Sequence, residues 1–158
     1  MKRVRSVIGI GASAFSLALV GCGGSRTPAV TMTKQQAARA YIAAVTAANA
    51  AGAALAGKIR AYTDSTRGTQ VSADARPFER RLTELNGKLL DIATAYPPVA
   101  ADLKALVTAY NPVIRDLRGA AARNSIDALS CLQRLASDRT KTQTAAARSN
   151  LGIPLAKS

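Results

Sequence analysis

From Thr33 onward, apolar and small residues recur at alternating steps of three and four: Ala38, Tyr41, Val45, Ala48, Gly52, Leu55, Ile59 and Tyr62. Side chains at those steps share one face of an α-helix, so the spacing predicts an amphipathic helix sustained for about three and a half heptads. Thr33-Lys34-Gln35-Gln36 supplies its start, with a hydroxyl acceptor at the N-cap and Gln three residues on. The seam is small in its middle, at Ala48 and Gly52, which predicts that a neighbouring backbone approaches closely there. The polar stretch 64–73 (DSTRGTQVSA) then reads as a loop.

A second seam, Phe78, Leu82, Leu85, Leu89, Ile92 and Tyr96, predicts a helix over 74–95. Asp74 serves as its N-cap, and Pro77 falls in a first turn that needs no N–H. Glu84 stands four residues before Lys88, the favourable order for a surface pair, and Pro97-Pro98 ends the helix. A third helix carries Val99, Leu103, Leu106, Tyr110, Val113 or Ile114, and Leu117. Pro112 removes one of its hydrogen bonds, which predicts a kink or a restart capped by Asn111. A fourth covers 125–148 with Ile126, Leu129, Leu132 and Ala136 inward. Gly152 and Pro154 lead the chain out, leaving Leu151, Ile153 and Leu155 to fold back. Four such helices on short connections predict an all-α, up-down antiparallel four-helix bundle over 33–158. Such a bundle closes its own core and, with its lipid removed, is expected to be monomeric.

The first 32 residues follow different rules. Lys2, Arg3 and Arg5 precede an apolar run at 7–20, and Leu19-Val20-Gly21-Cys22 follows as a lipobox. The run is about 14 residues, short of the roughly 20 that span a bilayer. Ala12, Ala14 and Ala18 each offer an end to an ordinary secretory signal. The order Leu, β-branched, small, Cys, followed at once by Gly23-Gly24-Ser25, favours lipidation instead. Residues 1–21 are thus expected to be a lipoprotein signal peptide. Residues 22–32 are then a lipidated Cys22 and a tether whose ten residues reach at most about 33 Å.

Composition sharpens this reading. Trp and His are absent, with two Phe and four Tyr, while Ala, the best helix former, is abundant. The chain carries 22 basic and 9 acidic residues, a net charge of +13. Three basic residues lie in the signal, leaving 19 against nine in the mature part, and every acid falls between Asp64 and Asp138. For an exported chain the counter-charges are anionic lipid headgroups or wall polymers rather than nucleic acid. A generic solvated surface accounts for the same charge.

Chemistry is sparse. Lipidation of Cys22 leaves Cys131 without an intramolecular partner. Its setting, Leu129-Ser130-Cys131-Leu132, predicts a buried thiol acting as a small hydrophobe, with pairing between chains as the alternative. Without histidine there is no metal constellation, no Ser-His or Cys-His pair and no Glu-x-x-His. Glu79 and Glu84 sit on divergent faces of one helix. Neither a cofactor nor an enzymatic activity is expected. The remaining candidate face for a ligand, or for packing, comprises Tyr41, Gly52, Tyr62, Tyr96 and Tyr110. Tyr41 and Tyr96 should lie near one end, and Tyr62 should meet Phe78 at the other. The hydroxyls should reach water, unless the rings line a pocket for an apolar or glycan ligand.

A family resemblance rests on several pieces of the chain: the lipobox, Tyr41-Ile42-Ala43-Ala44-Val45-Thr46-Ala47-Ala48-Asn49-Ala50, Tyr96-Pro97-Pro98 with Asp102-Leu103, Asp116-Leu117-Arg118, and Arg148-Ser149-Asn150-Leu151-Gly152-Ile153-Pro154. With these the chain resembles a group of small actinobacterial lipoproteins of unknown function. The resemblance implies a helical envelope lipoprotein with no catalytic residues to transfer. The expected function is therefore that of a non-catalytic binding or scaffolding protein. It would be held on the extracytoplasmic face of the bacterial cell membrane by the Cys22 acyl anchor, with an unknown protein partner. The alternative is a carrier of a small apolar ligand inside the bundle.

Overall fold

The computed structural model describes residues 31–62, 68–123 and 125–154, except the side chains of 68–69 and 132–136. The lipobox residues Leu19, Val20, Gly21 and Cys22 lie outside the described residues, as does most of the tether. Among the described residues the chain is all-helical: α1 (Lys34–Ala61), α2 (Gly68–Ala95), a 3-10 turn (Pro97–Val99), α3 (Ala100–Ala122) and α4 (Ile126–Leu151).

The capping box at Thr33 forms. Its hydroxyl accepts from the Gln36 N–H at 3.3 Å, and the Gln36 side chain accepts from the Thr33 N–H at 2.8 Å. α1 then buries Ala37, Tyr41, Ala44, Ala48 and Leu55. The stripe is turned slightly from the expected seam, leaving Ala38, Val45, Ile59 and Tyr62 half-buried beside the core. With a mean hydropathy of 1.4 over its most apolar stretch, α1 has the length and composition to cross a membrane. Here that apolar face lies on α2 and α4.

α2 starts earlier than the sequence suggested. Residues 68–73, read as loop, are helical, because Val71 and Ala75 extend the apolar seam by two turns and are 1 % exposed each. Asp74 is consequently no N-cap. It sits inside α2 and pairs with Lys58 and Tyr62 of α1. Pro77 is likewise interior to the helix and faces solvent. Glu84 pairs with Arg81 at 2.6 Å, one turn back, rather than with Lys88.

α3 is a single element through Pro112. Asn111 caps nothing; its side-chain oxygen accepts from the buried Asn86 amide of α2 at 3.0 Å. α4 is capped by the Ser125 hydroxyl on the Ala128 N–H. It runs three residues beyond the expected end, to Leu151, and closes on Gly152 at φ 72°. Ile153 N–H donates to the Arg148 carbonyl and Gly152 N–H to that of Ser149, the paired bonds of a left-handed helix stop. Ile153 packs back on the core as expected, whereas Leu155 lies outside the described residues. Leu132 and Ala136 fall among the undescribed side chains. Cys131 is exposed, contrary to expectation. The α4 face that meets the core runs through Leu129, Thr140, Ala147 and Leu151, and Cys131 lies about 200° around the helix from Leu129.

Contacts between consecutive helices fix their registers. α1 meets α2 at Met32–Ala95, Gly52–Phe78 and Lys58–Asp74. α2 meets α3 at Glu79–Arg118 and Asn86–Asn111. α3 meets α4 at Asp102–Asn150 and Asp116–Arg139. The closest approach at Gly52 is made by an aromatic ring and not by a backbone: a β-carbon there would stand 3.1 Å from Phe78 Cε2. Gly52→Leu should therefore overpack α1 on α2 and destabilise the fold by about 1–3 kcal/mol. Adding Phe78→Ala should recover part of that loss in urea unfolding. An unchanged midpoint for Gly52→Leu would show that the ring does not hold its place.

Candidate functional site

Two of the five nominated residues come together. Tyr41 of α1 and Tyr110 of α3 are close enough to interact electrostatically, with Arg148 and Thr144 of α4 beside Tyr41 and Thr140 bonded to Tyr110. The heptad step that turns Tyr41 inward also carries it past the solvated edge. It is 2 % exposed, and its hydroxyl, expected in water, finds no hydrogen bond of good geometry. The Tyr41 pKa is pushed up to about 12, by burial first and then by Tyr110, against the pull of Arg148 and the Thr144 hydroxyl. Burial raises Tyr110 as well, against the hydrogen bond to Thr140. Phenols held protonated this firmly are neutral donors, not bases at ordinary pH. The Arg148 Nε also lacks a partner, although the same guanidinium donates to the Pro154 carbonyl.

The other candidates are scattered. Tyr62 donates to Asp74 Oδ2 at 3.1 Å beside Lys58. Its pKa rises to about 12 through burial, then through the bond to Asp74 and the charge of that carboxylate. Phe78 faces Gly52, so the expected meeting with Tyr62 is replaced by these two separate contacts. The early start of α2 explains the change: Asp74 takes the level at which Phe78 had been placed. Tyr96 is half-buried at the entry to the 3-10 turn. The small middle of the α1 seam is filled, Ala48 being buried and Gly52 covered by the Phe78 ring.

Open space lies elsewhere. A groove of about 410 Å³ runs between α1 and α2 beside Met32. Ala40, Ala43, Ala44 and Ala47 form its α1 wall, Leu85 and Ile92 its floor, and Arg81, Glu84, Lys88 and Asp91 its α2 rim. A second hollow of about 430 Å³, between α3 and α4, carries Arg115, Asp116, Arg123 and the exposed Cys131. There Arg139, and then Arg115, hold the Asp116 carboxyl below its usual range. Among the described residues no three His, Cys, Asp or Glu side chains gather as a metal site would require.

Sequence reasoning missed Thr140, Thr144 and Arg148. Thr140 and Thr144 fall four apart and in step with Ala147 and Leu151, a signal hidden because α4 is so polar after Arg139. The alanine wall was read only as helix former, since Ala marks neither an inner nor an outer face.

No family model, curated protein or solved structure matches the chain. The site must speak for itself.

Below pH 10 both folded and unfolded chains keep the Tyr41 proton. Between pH 10 and about 12 the unfolded chain releases it and the folded chain retains it, so stability falls as pH rises through that window. Tyr41→Phe should make this fall shallower, with Tyr62 and Tyr110 accounting for the part that remains. At pH 7 it should be neutral or stabilising by up to about 1 kcal/mol, since it removes a buried hydroxyl without a partner. A loss of more than about 2 kcal/mol at pH 7 would mean that the hydroxyl makes a net favourable bond.

Proposed function

We propose that this chain is a lipid-anchored, non-catalytic binding or scaffolding protein on the outer face of a bacterial cell membrane. On this reading residues 33–158 form an up-down antiparallel four-helix bundle, supported by the opposed registers of neighbouring helices and by Lys34 of α1 covering Gly152 at the end of α4. The observation that carries the anchoring is Leu19-Val20-Gly21-Cys22 behind a basic head and a short apolar run. Met32, ten residues after Cys22, donates its N–H to the Ala95 carbonyl at 2.8 Å. That bond ties the tether to the domain at the shared end of α1, α2 and α4, close to the membrane. A surface role is favoured over an interior carrier by the filled space at Gly52 and the open groove between α1 and α2. The net positive charge suits anionic headgroups or wall polymers as additional contacts.

Cells grown on an alkyne fatty acid should label the wild-type chain and shorten it by the signal. Cys22→Ala should accumulate as an unlabelled, full-length precursor. Label retained on Cys22→Ala, or cleavage of that variant at an upstream alanine, would replace the lipoprotein reading with an ordinary secretory signal.

A further inference from the structure

The groove between α1 and α2 has a symmetry of its own. On the α2 rim the charges alternate, Arg81, Glu84, Lys88, Asp91, and all four side chains are exposed. Arg81 and Asp91 stand five residues either side of Asn86; Glu84 and Lys88 stand two either side of it. Inverting the helix about Asn86 therefore places every cation opposite an anion. The α1 wall is symmetric as well: Ala43 and Ala44 flank its midpoint, with Ala40 and Ala47 three residues beyond them on either side.

The two centres coincide. Contacts Met32–Ala95, Gly52–Phe78 and Lys58–Asp74 set α1 on α2, and by that register the midpoint between Ala43 and Ala44 lies within about a residue of the level of Asn86. One axis, perpendicular to both helices and lying in the groove face, is thus a common centre for the charge pattern and the alanine pattern. Rotation by 180° about it would lay α1 antiparallel on α1 of another molecule and α2 antiparallel on α2.

We propose that the α1–α2 groove is the interface of a two-fold symmetric dimer, with a second copy of this chain as its occupant. On association Arg81 and Glu84 exchange their mutual contact, so that Arg81 pairs with Asp91 of the partner subunit and Glu84 with Lys88 of the partner subunit, each pair occurring twice, as an isologous contact requires. Between them, the alanine walls allow the two α1 helices to approach more closely than larger side chains would permit. α1 carries no charge over the 18 residues 40–57, so nothing on that wall is left unpaired when water is excluded. A heterologous protein would have to reproduce the alternation of sign, whereas a second copy has it by construction. The dimer replaces the monomer expected from a self-closed core. It takes the groove as the working face named above but does not depend on lipidation, so loss of fatty-acid label and loss of dimer are independent results.

The test uses the full mature chain, extracted with its anchor into detergent, in sedimentation across a concentration series. The wild type should dimerise reversibly. Glu84→Lys and Lys88→Glu should each weaken the dimer by about tenfold or more, since each places like charges opposite one another twice. Mixing the two variants should restore association to within about threefold of wild type, because each then faces the opposite sign. Restoration on mixing also shows that both variants are folded. A wild-type chain that is monomeric throughout, single variants that dimerise as well as wild type, or a mixture that fails to re-associate would each overturn the proposal.

Discussion

The domain is organised by the small inner face of α1. Ala37, Ala44, Ala48 and Gly52 supply little side-chain volume, and apart from Tyr41 and Leu55 the space against α1 is filled from the other side. Phe78, Leu82, Leu85, Leu89 and Ile92 of α2 perform that filling, with Leu103, Leu106, Val113 and Leu117 of α3 behind them. An interior must reach close-packed density whichever helix supplies the atoms. Large residues on α2 therefore require small ones on α1, and the ring of Phe78 seats where a β-carbon is missing. With no intramolecular disulfide among the described residues and few aromatics in the chain, this complementarity carries much of the stability.

The same economy of volume shapes the outside of α1. A helix built mostly of alanine has no bulky side chains to close the furrow against its neighbour, which leaves the open groove beside Met32. The inner face is read by α2, α3 and α4 of the same molecule, while the outer wall has no covering element among the described residues. The alternating charges along the α2 rim give that wall a direction and a centre, something alanine alone cannot do. The proposed dimer follows from that combination.

Polar groups inside the domain mark where the packing is least ideal. Asn86 reaches Asn111 across α2 and α3, while its own side-chain oxygen stays without a partner. Tyr41 likewise brings a hydroxyl into a buried place beside Tyr110, Thr144 and Arg148. Such groups cost stability when incompletely bonded. They also bind particular levels of neighbouring helices to one another, since an Asn–Asn or Tyr–Thr contact forms at one register only. Lys58, Tyr62 and Asp74 act in the same way at the far end of α1.

The helices, the capping box at Thr33 and most of the α2 and α3 seams were legible in the sequence, because periodicity and capping chemistry are local. The order Leu19-Val20-Gly21-Cys22 and the absence of histidine are also properties of sequence alone, fixed by covalent order and composition. What the sequence left open depended on burial. Val71 and Ala75 turned a polar segment into two further turns of α2, since the core rewarded their burial more than local propensity opposed it. Pro112 stayed within one helix, and Asn111 beside it found Asn86 rather than its own backbone. Cys131 faced solvent because the direction of a residue on a helix is set by which face its neighbours cover. The closest neighbour of Gly52, the seclusion of the Tyr41 hydroxyl and the shared centre of the alanine and charge patterns arise between elements. Only the packed arrangement of the helices determines them.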